Sequence, residues 1–339
     1  MKSTDSKVIL LAHGSGGKAT HQLIDDVFVP RLDNSFLKEL TDSALLPVGD
    51  GNILFTTDGY VVDPPFFPGG DIGRLAVNGT VNDLAVCGGK PLYVSLALIL
   101  EEGFPLDKLD AIIQSVAEAA REAEVKIVTG DTKVVGRGSA DKIFITTSGI
   151  AVLHPHASLA IKNIRPGDKI ILSGSIGDHG IAVMLEREGL ELKSNIVSDT
   201  APLHKMAEEI MQERAAIRFM RDPTRGGIAT TLNEIALQSQ LGVTINETAI
   251  PIKPEVAGAS EILGLDPLYI ANEGKLIAIV DPAHADNILS IMQRNRYGAD
   301  AAIIGTITED FPCKVILKTR IGGSRIVDML AGEQLPRIC

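Results

Sequence analysis

Aspartates next to glycine-rich turns are the residues of this sequence best suited to chemistry. Asp58 lies inside an apolar segment that predicts a strand, Asp83 lies on the apolar face of a predicted helix, and Asp222 precedes the turn PTRGG. Burying a carboxylate without a partner is unfavourable, so each must be paired or bind a metal ion. Mg²⁺ takes hard oxygen ligands from few protein carboxylates and from nucleotide phosphates. The pattern favours a magnesium-bridged phosphate site, and the alternative for each aspartate alone is a hydrogen bond within a helix or turn.

Two glycine-rich segments are candidates for binding the phosphates. The first is HGSGGK at 13–18, where glycines let backbone N–H groups approach an anion and Lys18 adds a positive charge. The second, at 222–227, combines a carboxylate, Arg225 and the free N–H groups at the start of a predicted helix. The first segment does not have P-loop spacing. The alternatives are a flexible leader and an ordinary capped turn.

Other motifs narrow the class of site. The segment GSIGDHG at 174–180 lacks the dinucleotide-binding fingerprint and predicts a turn before a helix, so a dehydrogenase is poorly supported. The histidines do not cluster, which argues against zinc or iron. Asp131 directly follows a strand predicted at 125–129, and ligands of open α/β sheets gather at such strand ends.

The chain ends in a cysteine. Its three cysteines, Cys87, Cys313 and Cys339, share no C-x-x-C spacing, so neither a disulfide framework nor a zinc site is predicted. A thiol at the end of a polar tail is expected to be exposed and mobile, with Arg337 favouring the thiolate and the terminal carboxylate opposing it. Residues 331–339 span at most about 30 Å. The thiol could therefore reach both an internal site and an outside partner; the alternative is an inert terminal cysteine.

The composition is that of a globular protein. With 339 residues, of which 45% are apolar, the chain can form about two domains with buried cores. The net charge of −11 argues against nucleic acid as a partner. The longest nearly uninterrupted apolar run, 91–100, is too short to cross a membrane, and the N-terminus lacks a signal-peptide core. We therefore expect a cytoplasmic protein with no membrane partner.

Hydrophobic periodicity and turn residues predict two α+β units that meet near residue 154. The first is predicted to contain helices at 72–86 and 106–123, and strands at 52–62, 93–100, 125–129 and 142–152. The second is predicted to contain helices at 180–187, 202–217 and 227–239, and strands at 169–173, near 243, and at 276–280, 302–307 and 315–319. The predicted organisation is a glycine-rich leader, two domains and a mobile tail, at 1–36, 37–154, 155–330 and 331–339.

Taken together, the motifs resemble those of one family. They are HGSGGK at 13–18, FTTDGYVVDPPFFPGGDIGRLAVNGT at 55–80, NDLAVCGGKP at 82–91, GDTKVV at 130–135, GDHG at 177–180, RDPTRGG at 221–227, NEGKL at 272–276 and the terminal PRIC. Over essentially the whole chain they resemble the HypE family of hydrogenase maturation factors. The resemblance implies an α+β, two-domain AIR synthetase (PurM)-like fold, with N-terminal domains pairing into a homodimer and ATP with Mg²⁺ in a cleft.

The resemblance also implies a set of site residues. The metal ligands that it implies are Asp50, Asp58, Asp83 and Asp222. The nucleotide-binding residues that it implies are His13, Gly16, Gly17, Lys18, Asp58, Asn82, Asp83, Asp131, Thr132, Asp222, Thr224, Gly226 and Gly227.

The activity implied by the resemblance is ATP-dependent dehydration of a carbamoyl group on the chain's own C-terminal cysteine, giving a thiocyanate. A HypF-type carbamoyltransferase supplies the carbamoyl group, and cyanide passes through a HypC–HypD complex to the iron of [NiFe]-hydrogenase. Phosphorylation makes the amide oxygen a good leaving group, and a base removes the amide protons. The expected catalytic residues are Cys339 as carrier, Glu273 as base, and Lys133 or Arg225 to balance phosphoryl charge.

Two other functions stay open on the sequence alone. A small-molecule kinase or synthetase of the same fold would release phosphate on a diffusible product and would not need Cys339. A nucleotide-gated binding module would do no chemistry of its own. The C-terminal tail and the partners distinguish these alternatives.

Overall fold

The computed structural model of the protein describes most of the chain. The described residues are 9–14, 16–32, 35–36, 39, 41–49, 51–189, 195–213, 216–330, 335 and 337–339. Asp50, one of the expected metal ligands, lies outside them. No helix within these ranges is both long enough and apolar enough to cross a membrane.

The N-terminal leader is largely helical where it is described. Helix α1 spans Lys18–Leu23 and α2 spans Val29–Leu32, with a π-helical turn at Ile24–Phe28 between them. The Lys18 N–H donates to the carbonyl of Leu330 at 3.1 Å. The leader is thereby attached to the far end of the chain.

The N-terminal domain is a sheet with two helices. Its elements in chain order are β1 (Ala44–Val48), β2 (Gly51–Tyr60), β3 (Phe66–Phe67), β4 (Gly70–Asp71), α3 (Ile72–Val86), β5 (Gly89–Glu101), α4 (Leu106–Glu122), β6 (Lys126–Val135) and β7 (Ile143–Leu153). A five-stranded sheet has the order β1-β2-β7-β5-β6, in which only β5 and β6 are parallel neighbours. β3 and β4 form a separate pair.

The C-terminal domain is built on a larger sheet. Its elements are β8 (Lys169–Leu172), α5 (Asp178–Glu188), α6 (His204–Met211), β9 (Ile217–Arg221), α7 (Gly227–Ser239), β10 (Gly242–Asn246), α8 (Pro254–Leu263), β11 (Ile277–Val280), α9 (Ala285–Arg294), β12 (Ala302–Thr308), β13 (Val315–Lys318) and β14 (Ser324–Val327). The seven strands have the order β14-β13-β10-β12-β8-β11-β9. Aliphatic side chains of α7 and of this sheet form the main core of the domain.

Helix α3 lies between the two domains and is buried on nearly all sides. Asp71 caps its N-terminus by accepting the N–H groups of Gly73 at 2.7 Å and Arg74 at 3.1 Å. The helix contacts β2, β5 and β7 of the sheet as well as α4 and α6. Because no broad face meets water, small and apolar residues surround its axis. The predicted bounds of this helix, 72–86, are confirmed.

The structure confirms the α+β class and corrects several elements. The helix predicted at 202–217 ends at Met211, and Ile217–Arg221 forms β9 because it pairs with β11. The strand predicted at 125–129 continues to Val135 because it pairs with β5 along its length. Helices α8 and α9 were not predicted. Long-range pairing, which local periodicity does not register, decides the two corrected bounds.

Candidate functional site

Aspartates from four separate parts of the fold meet between the domains. They are Asp42 before β1, Asp58 in β2, Asp83 in α3 and Asp222 directly after β9. Burial raises the pKa of Asp83 well above its usual value, and the carboxylates of Asp58 and Asp222 raise it further. Burial and the carboxylate of Asp42 likewise raise the pKa of Asp222. The aspartate cluster therefore concentrates negative charge that a cation would stabilise.

Threonine hydroxyls orient two of these carboxylates. Thr56 Oγ1 donates to Asp83 Oδ2 at 2.9 Å, and Thr80 Oγ1 donates to Asp58 Oδ2 at 2.9 Å. Thr56 belongs to the strand that carries Asp58, and Thr80 belongs to the helix that carries Asp83. The strand and the helix thus each orient the aspartate of the other.

Asp42 is a member of the cluster that sequence reasoning missed. Its Oδ1 lies 3.0 Å from Arg221 Nε, yet burial outweighs this attraction and raises its pKa to about 6. Arg221 Nη1 also lies 3.0 Å from Glu234 Oε2, and Glu234 Oε1 lies 2.7 Å from His21 Nε2 in the leader. No periodic pattern or motif surrounds Asp42, so its place in the cluster is visible only in the folded structure.

The donor set fits a cation held jointly by protein and phosphate oxygens. Its side chains are carboxylates and hydroxyls, the hard ligands that Mg²⁺ prefers. Within the part of the chain that the structure describes, no group of three or more His, Cys, Asp or Glu side chains could hold a metal ion by itself. A cation at the cluster therefore needs further ligands, and nucleotide phosphates supply suitable oxygens.

The C-terminal thiol lies close to this cluster. The Cys339 thiol lies beside the carboxyl group of Glu273, and Arg225 is close enough to act on both groups. Burial raises the pKa of the thiol above its usual value, Arg225 opposes this shift, and Glu273 adds to it. At this position of the tail the thiol is half-buried rather than exposed, and its raised pKa does not favour the thiolate that was expected.

Glu273 is held by its backbone. Its N–H donates to Asp199 Oδ1 at 3.0 Å, and its carbonyl accepts from Asn82 Nδ2 at 3.3 Å. Burial and the carboxylate of Asp199 raise the pKa of Glu273 well above its usual value. Among the described residues, Glu273 Oε1 has no hydrogen-bond partner. One oxygen of this carboxyl group is therefore available to a proton donor or acceptor placed beside Cys339.

A cavity of about 280 Å³ opens beside the thiol. The leader, the turn before α7 and the C-terminal tail all contribute to its lining, through residues that include Leu11, Gly14, Arg225, Gly226 and Cys339. Arg225 Nη1 donates to the Gly14 carbonyl at 3.3 Å, which connects the leader to the turn. The two glycine-rich segments predicted to bind phosphates therefore meet at one cavity.

Glycines in these segments have the backbone that a close approach requires. Gly16, Gly226 and Gly227 have φ angles of +76°, +76° and +60°, a region that favours glycine. A Cβ on Gly17 would lie 2.3 Å from the Leu330 carbonyl oxygen. Thr224, another predicted phosphate ligand, lies in the same turn as Gly227: its carbonyl accepts the Gly227 N–H at 3.0 Å.

Known proteins identify the family of this chain. Residues 40–153 match the family described as AIR synthase related protein, N-terminal domain, and residues 165–318 match the corresponding C-terminal domain. The carbamoyl dehydratase HypE of Rhizobium leguminosarum bv. viciae is 54% identical over 330 residues, which cover 97% of this chain and 94% of that protein. This chain belongs to the HypE family of carbamoyl dehydratases. It is therefore an enzyme with two AIR synthase related domains.

Solved HypE structures have the same fold. A HypE in a HypE–HypF complex superposes with a TM-score of 0.87 at 50% identity, covering 91% of this chain and 99% of that chain. A hydrogenase maturation protein HypE in complex with ATP has a TM-score of 0.83 at 47% identity, covering 98% of this chain and 100% of that chain. Those HypE proteins thus bind HypF and ATP, respectively.

Some expected residues of this HypE family member do not join the cluster. Asp131 and Lys133 lie inside β6 rather than after its end, and they pair with each other at 2.7 Å. Lys133 is in register with Ile99 of β5, and Ile99 is exposed on the face of the sheet opposite α3. The sheet order separates β6 from β2 by three strand spacings, about 14 Å. Within one chain, Lys133 therefore does not contact Asp58.

Three further expected nucleotide ligands occupy other positions. Asn82 is buried and hydrogen-bonds to the backbone of Ala201, Leu203 and Glu273, so it connects α3 to the second domain. Nδ1 of His13 accepts the Leu10 N–H at 2.9 Å within the leader. Thr132 lies in β6 between Asp131 and Lys133, away from the cavity.

Proposed function

We propose that this protein dehydrates a carbamoyl group carried on Cys339 to a cyano group, and so provides the cyanide ligand of [NiFe]-hydrogenase iron. The observation that carries the proposal is the contact of the Cys339 thiol with Glu273, close to Arg225 and to the aspartate cluster. A small-molecule kinase of the same fold has no need for a C-terminal thiol at this position.

The reaction divides into phosphorylation and elimination. In the first step, the amide oxygen of Cys–S–CO–NH₂ attacks the γ-phosphorus of ATP, ADP leaves, and one N–H proton is lost. In the second step, loss of phosphate and of the remaining N–H proton forms the C≡N bond of Cys–S–C≡N. The net products are ADP, phosphate and the thiocyanate. The sulfur atom keeps its bond to carbon throughout.

Glu273 and Arg225 are suited to these two steps. A base is most effective when its pKa lies near the working pH, and burial raises the pKa of Glu273 from the usual carboxyl range towards that value. Arg225 is a fixed cation beside the carrier, and it offsets the negative charge that develops on the transferred phosphoryl group. Glu273 therefore takes amide protons, while Arg225 stabilises the phosphorylated amide.

The raised pKa of the Cys339 thiol indicates that the thiol is carbamoylated at one position of the tail and that the carbamoyl group is dehydrated at another. A protonated thiol is a weak nucleophile, so the raised pKa disfavours transfer of a carbamoyl group to the thiol where it lies. Dehydration needs no nucleophilic sulfur and can take place at this position. We therefore propose that the tail leaves the cavity to be loaded by a HypF-type carbamoyltransferase and to deliver cyanide to a HypC–HypD complex.

ATP is proposed to bind with Mg²⁺ between the aspartate cluster and the glycine-rich segments. The proposed metal ligands are Asp50, Asp58, Asp83 and Asp222, to which the geometry adds Asp42. The proposed phosphate-binding groups are the backbone N–H groups of Gly17 and Gly226 and the side chains of Lys18 and Thr224. The turns at Gly16 and Gly227 let the two segments approach the phosphates. Mg²⁺, when bound, neutralises phosphate charge and polarises the γ-phosphoryl group.

A homodimer is proposed to form through the exposed face of the N-terminal sheet. This face carries apolar side chains that include Phe55, Tyr93 and Ile99, which are 39%, 45% and 39% exposed. An extensive exposed apolar face marks an interaction surface, and a second copy of the same face would cover it. Asp131 and Lys133 lie on β6 at this face, so their proposed catalytic role depends on the pairing.

Mass spectrometry of the intact chain tests the proposal. Incubation with HypF, carbamoyl phosphate and ATP should add a carbamoyl group to Cys339, followed by the loss of one water. Glu273→Gln should accumulate the carbamoyl form because the neutral amide is a poor base. Cys87→Ala, which removes a half-buried cysteine, should behave like the unmodified chain. An adduct on Cys87 or Cys313, or turnover by Cys339→Ala with a free small substrate, would overturn the proposal.

A further inference from the structure

The backbone of the last residues is bound as a short strand. The Val61 N–H donates to a terminal oxygen of Cys339 at 3.1 Å, and the Asp63 N–H donates to the Arg337 carbonyl at 3.2 Å. Ile338 forms an antiparallel bridge with Val62, and its side chain is buried. The tail is thereby held in one register against the segment that follows β2.

His179, from the GDHG motif, binds the carbonyl between these two contacts. Its Nε2 lies 2.8 Å from the Ile338 carbonyl oxygen, and its Nδ1 lies 2.8 Å from Ser198 Oγ. Ser198 Oγ accepts the Thr200 N–H at 3.1 Å, which directs the hydroxyl proton towards Nδ1. A carbonyl oxygen can only accept, so Nε2 carries the ring proton and donates it to the tail. Burial lowers the pKa of His179 and keeps the ring in this neutral form.

The segment 198–201 connects His179 to the proposed base. Asp199 Oδ1 accepts the Glu273 N–H at 3.0 Å, directly beside the residue that orients His179. A Cβ on Gly274 would lie 1.8 Å from the Asp199 carbonyl oxygen, so the two backbones are in close contact there. The same four-residue segment therefore fixes both the donor that holds the tail and the carboxyl group that meets it.

We infer that His179 is a positioning residue, which holds the tail so that the group on Cys339 meets Glu273. The inference rests on the proposed role of Cys339 as the carrier. The Arg187 Nη2 donates to the Arg337 carbonyl at 2.7 Å and supports the same register. These contacts are made to backbone atoms of the tail. The thiol, the carbamoyl and the cyano forms of Cys339 can therefore all be held in the same way.

The exposure of Cys339 to a thiol reagent measures this hold directly. The full-length protein is pulsed with iodoacetamide, and labelling of each cysteine is followed by peptide mapping, with Cys313 as the internal reference. Losing one hydrogen bond of ordinary strength should raise the released fraction of the tail about five- to tenfold. His179→Phe should therefore label at Cys339 about five to ten times faster, while Cys313 labelling and ATP affinity stay unchanged.

Two further variants separate the hydrogen bond from the packing of the ring. His179→Gln retains an N–H donor near the position of Nε2, and should label within about twofold of the unmodified chain. His204→Phe is the matched control, because His204 is buried and neither ring nitrogen has a hydrogen-bond partner among the described residues. It should not change the labelling of Cys339.

The labelling results test the role of His179, and the dehydration result tests the proposed role of Cys339, so the two can fail independently. Equal labelling in His179→Phe and the unmodified chain overturns the role of His179, and so does labelling in His179→Gln as fast as in His179→Phe. If the carbamoylated protein is then given ATP in a single turnover, His179→Phe should lose water more slowly because the ring no longer fixes the position of the tail, and His179→Gln should restore the rate. Failure of the unmodified chain to lose water would count against the carrier role of Cys339. The labelling result would still test whether His179 holds the tail.

Discussion

Replacing Asp42 by asparagine tests whether the aspartate cluster is built to receive a cation. Asparagine keeps the size of the side chain and removes its charge. Burial raises the pKa of Asp42 from 3.8 to about 6 even though Arg221 attracts the ionised form. The folded chain therefore binds this proton more tightly than the unfolded chain does. Ionised Asp42 destabilises the fold above pH 6, and the destabilisation disappears as the pH falls through 6 towards 3.8.

The size of the effect follows from the shift. About two pKa units correspond to about 3 kcal/mol at pH 8, where Asp42 is ionised in both states. At pH 5 the folded form is largely protonated, and about half of the difference remains. Without ligand, Asp42→Asn should therefore be more stable than the unmodified chain by about 3 kcal/mol at pH 8 and by about half that at pH 5. The attraction to Arg221 lowers the pKa of Asp42, and the value of about 6 is the net result after this attraction.

Mg²⁺ and ATP should narrow this difference. Ligand at about 100 times its dissociation constant stabilises a folded protein by about 2.7 kcal/mol, and each tenfold loss of affinity removes about 1.4 kcal/mol of that gain. The unmodified chain should gain more than Asp42→Asn, because the charge of Asp42 then faces a cation. Urea unfolding followed by far-UV circular dichroism measures both effects, since the protein has no tryptophan.

Two results would refute the reasoning on Asp42. The first is an Asp42→Asn protein that is less stable than the unmodified chain at pH 8 in the absence of ligand, which would make the carboxylate a structural partner of Arg221. The second is a stability difference that stays the same between pH 8 and pH 5, because a raised pKa requires it to shrink.

Three other changes test the remaining parts of the site. Chelation of divalent cations with EDTA should abolish ATP binding in calorimetry, because naked triphosphate is repelled by the aspartates; undiminished affinity would remove the Mg²⁺-bridged site. Ile99→Asp should convert a dimer to a monomer in sedimentation, and an unchanged dimer would exclude this sheet face as the interface. Gly274→Ala should lose about 3 kcal/mol or more in urea unfolding, because its Cβ would lie 1.8 Å from a carbonyl oxygen. Its control, Gly258→Ala in α8, meets no neighbouring atom and should gain up to about 1 kcal/mol; equal effects would contradict the steric argument.

Local signals in the sequence determined the elements that carry most of the cluster. The bounds of α3 and α7 follow from glycines and an aspartate cap next to apolar runs, and the structure has both helices as predicted. Asp83 could be recognised because it interrupts an apolar helix face. Asp58 and Asp222 could be recognised because they adjoin apolar strands and glycine-rich turns. All of these signals come from residues close together in the sequence, so they can be read without any tertiary contact.

Only the tertiary structure decided which of the candidate groups share a site. Asp42 joins the cluster through Arg221, a contact between residues far apart in the chain, and no local pattern announces it. Lys133 is placed on the opposite face of the sheet by the register of β6 with β5. The thiol of Cys339 is half-buried beside Glu273 because His179 and the segment after β2 bind the backbone of the tail. Burial and long-range pairing set the charge state of each group, and both arise only when distant segments of the chain meet.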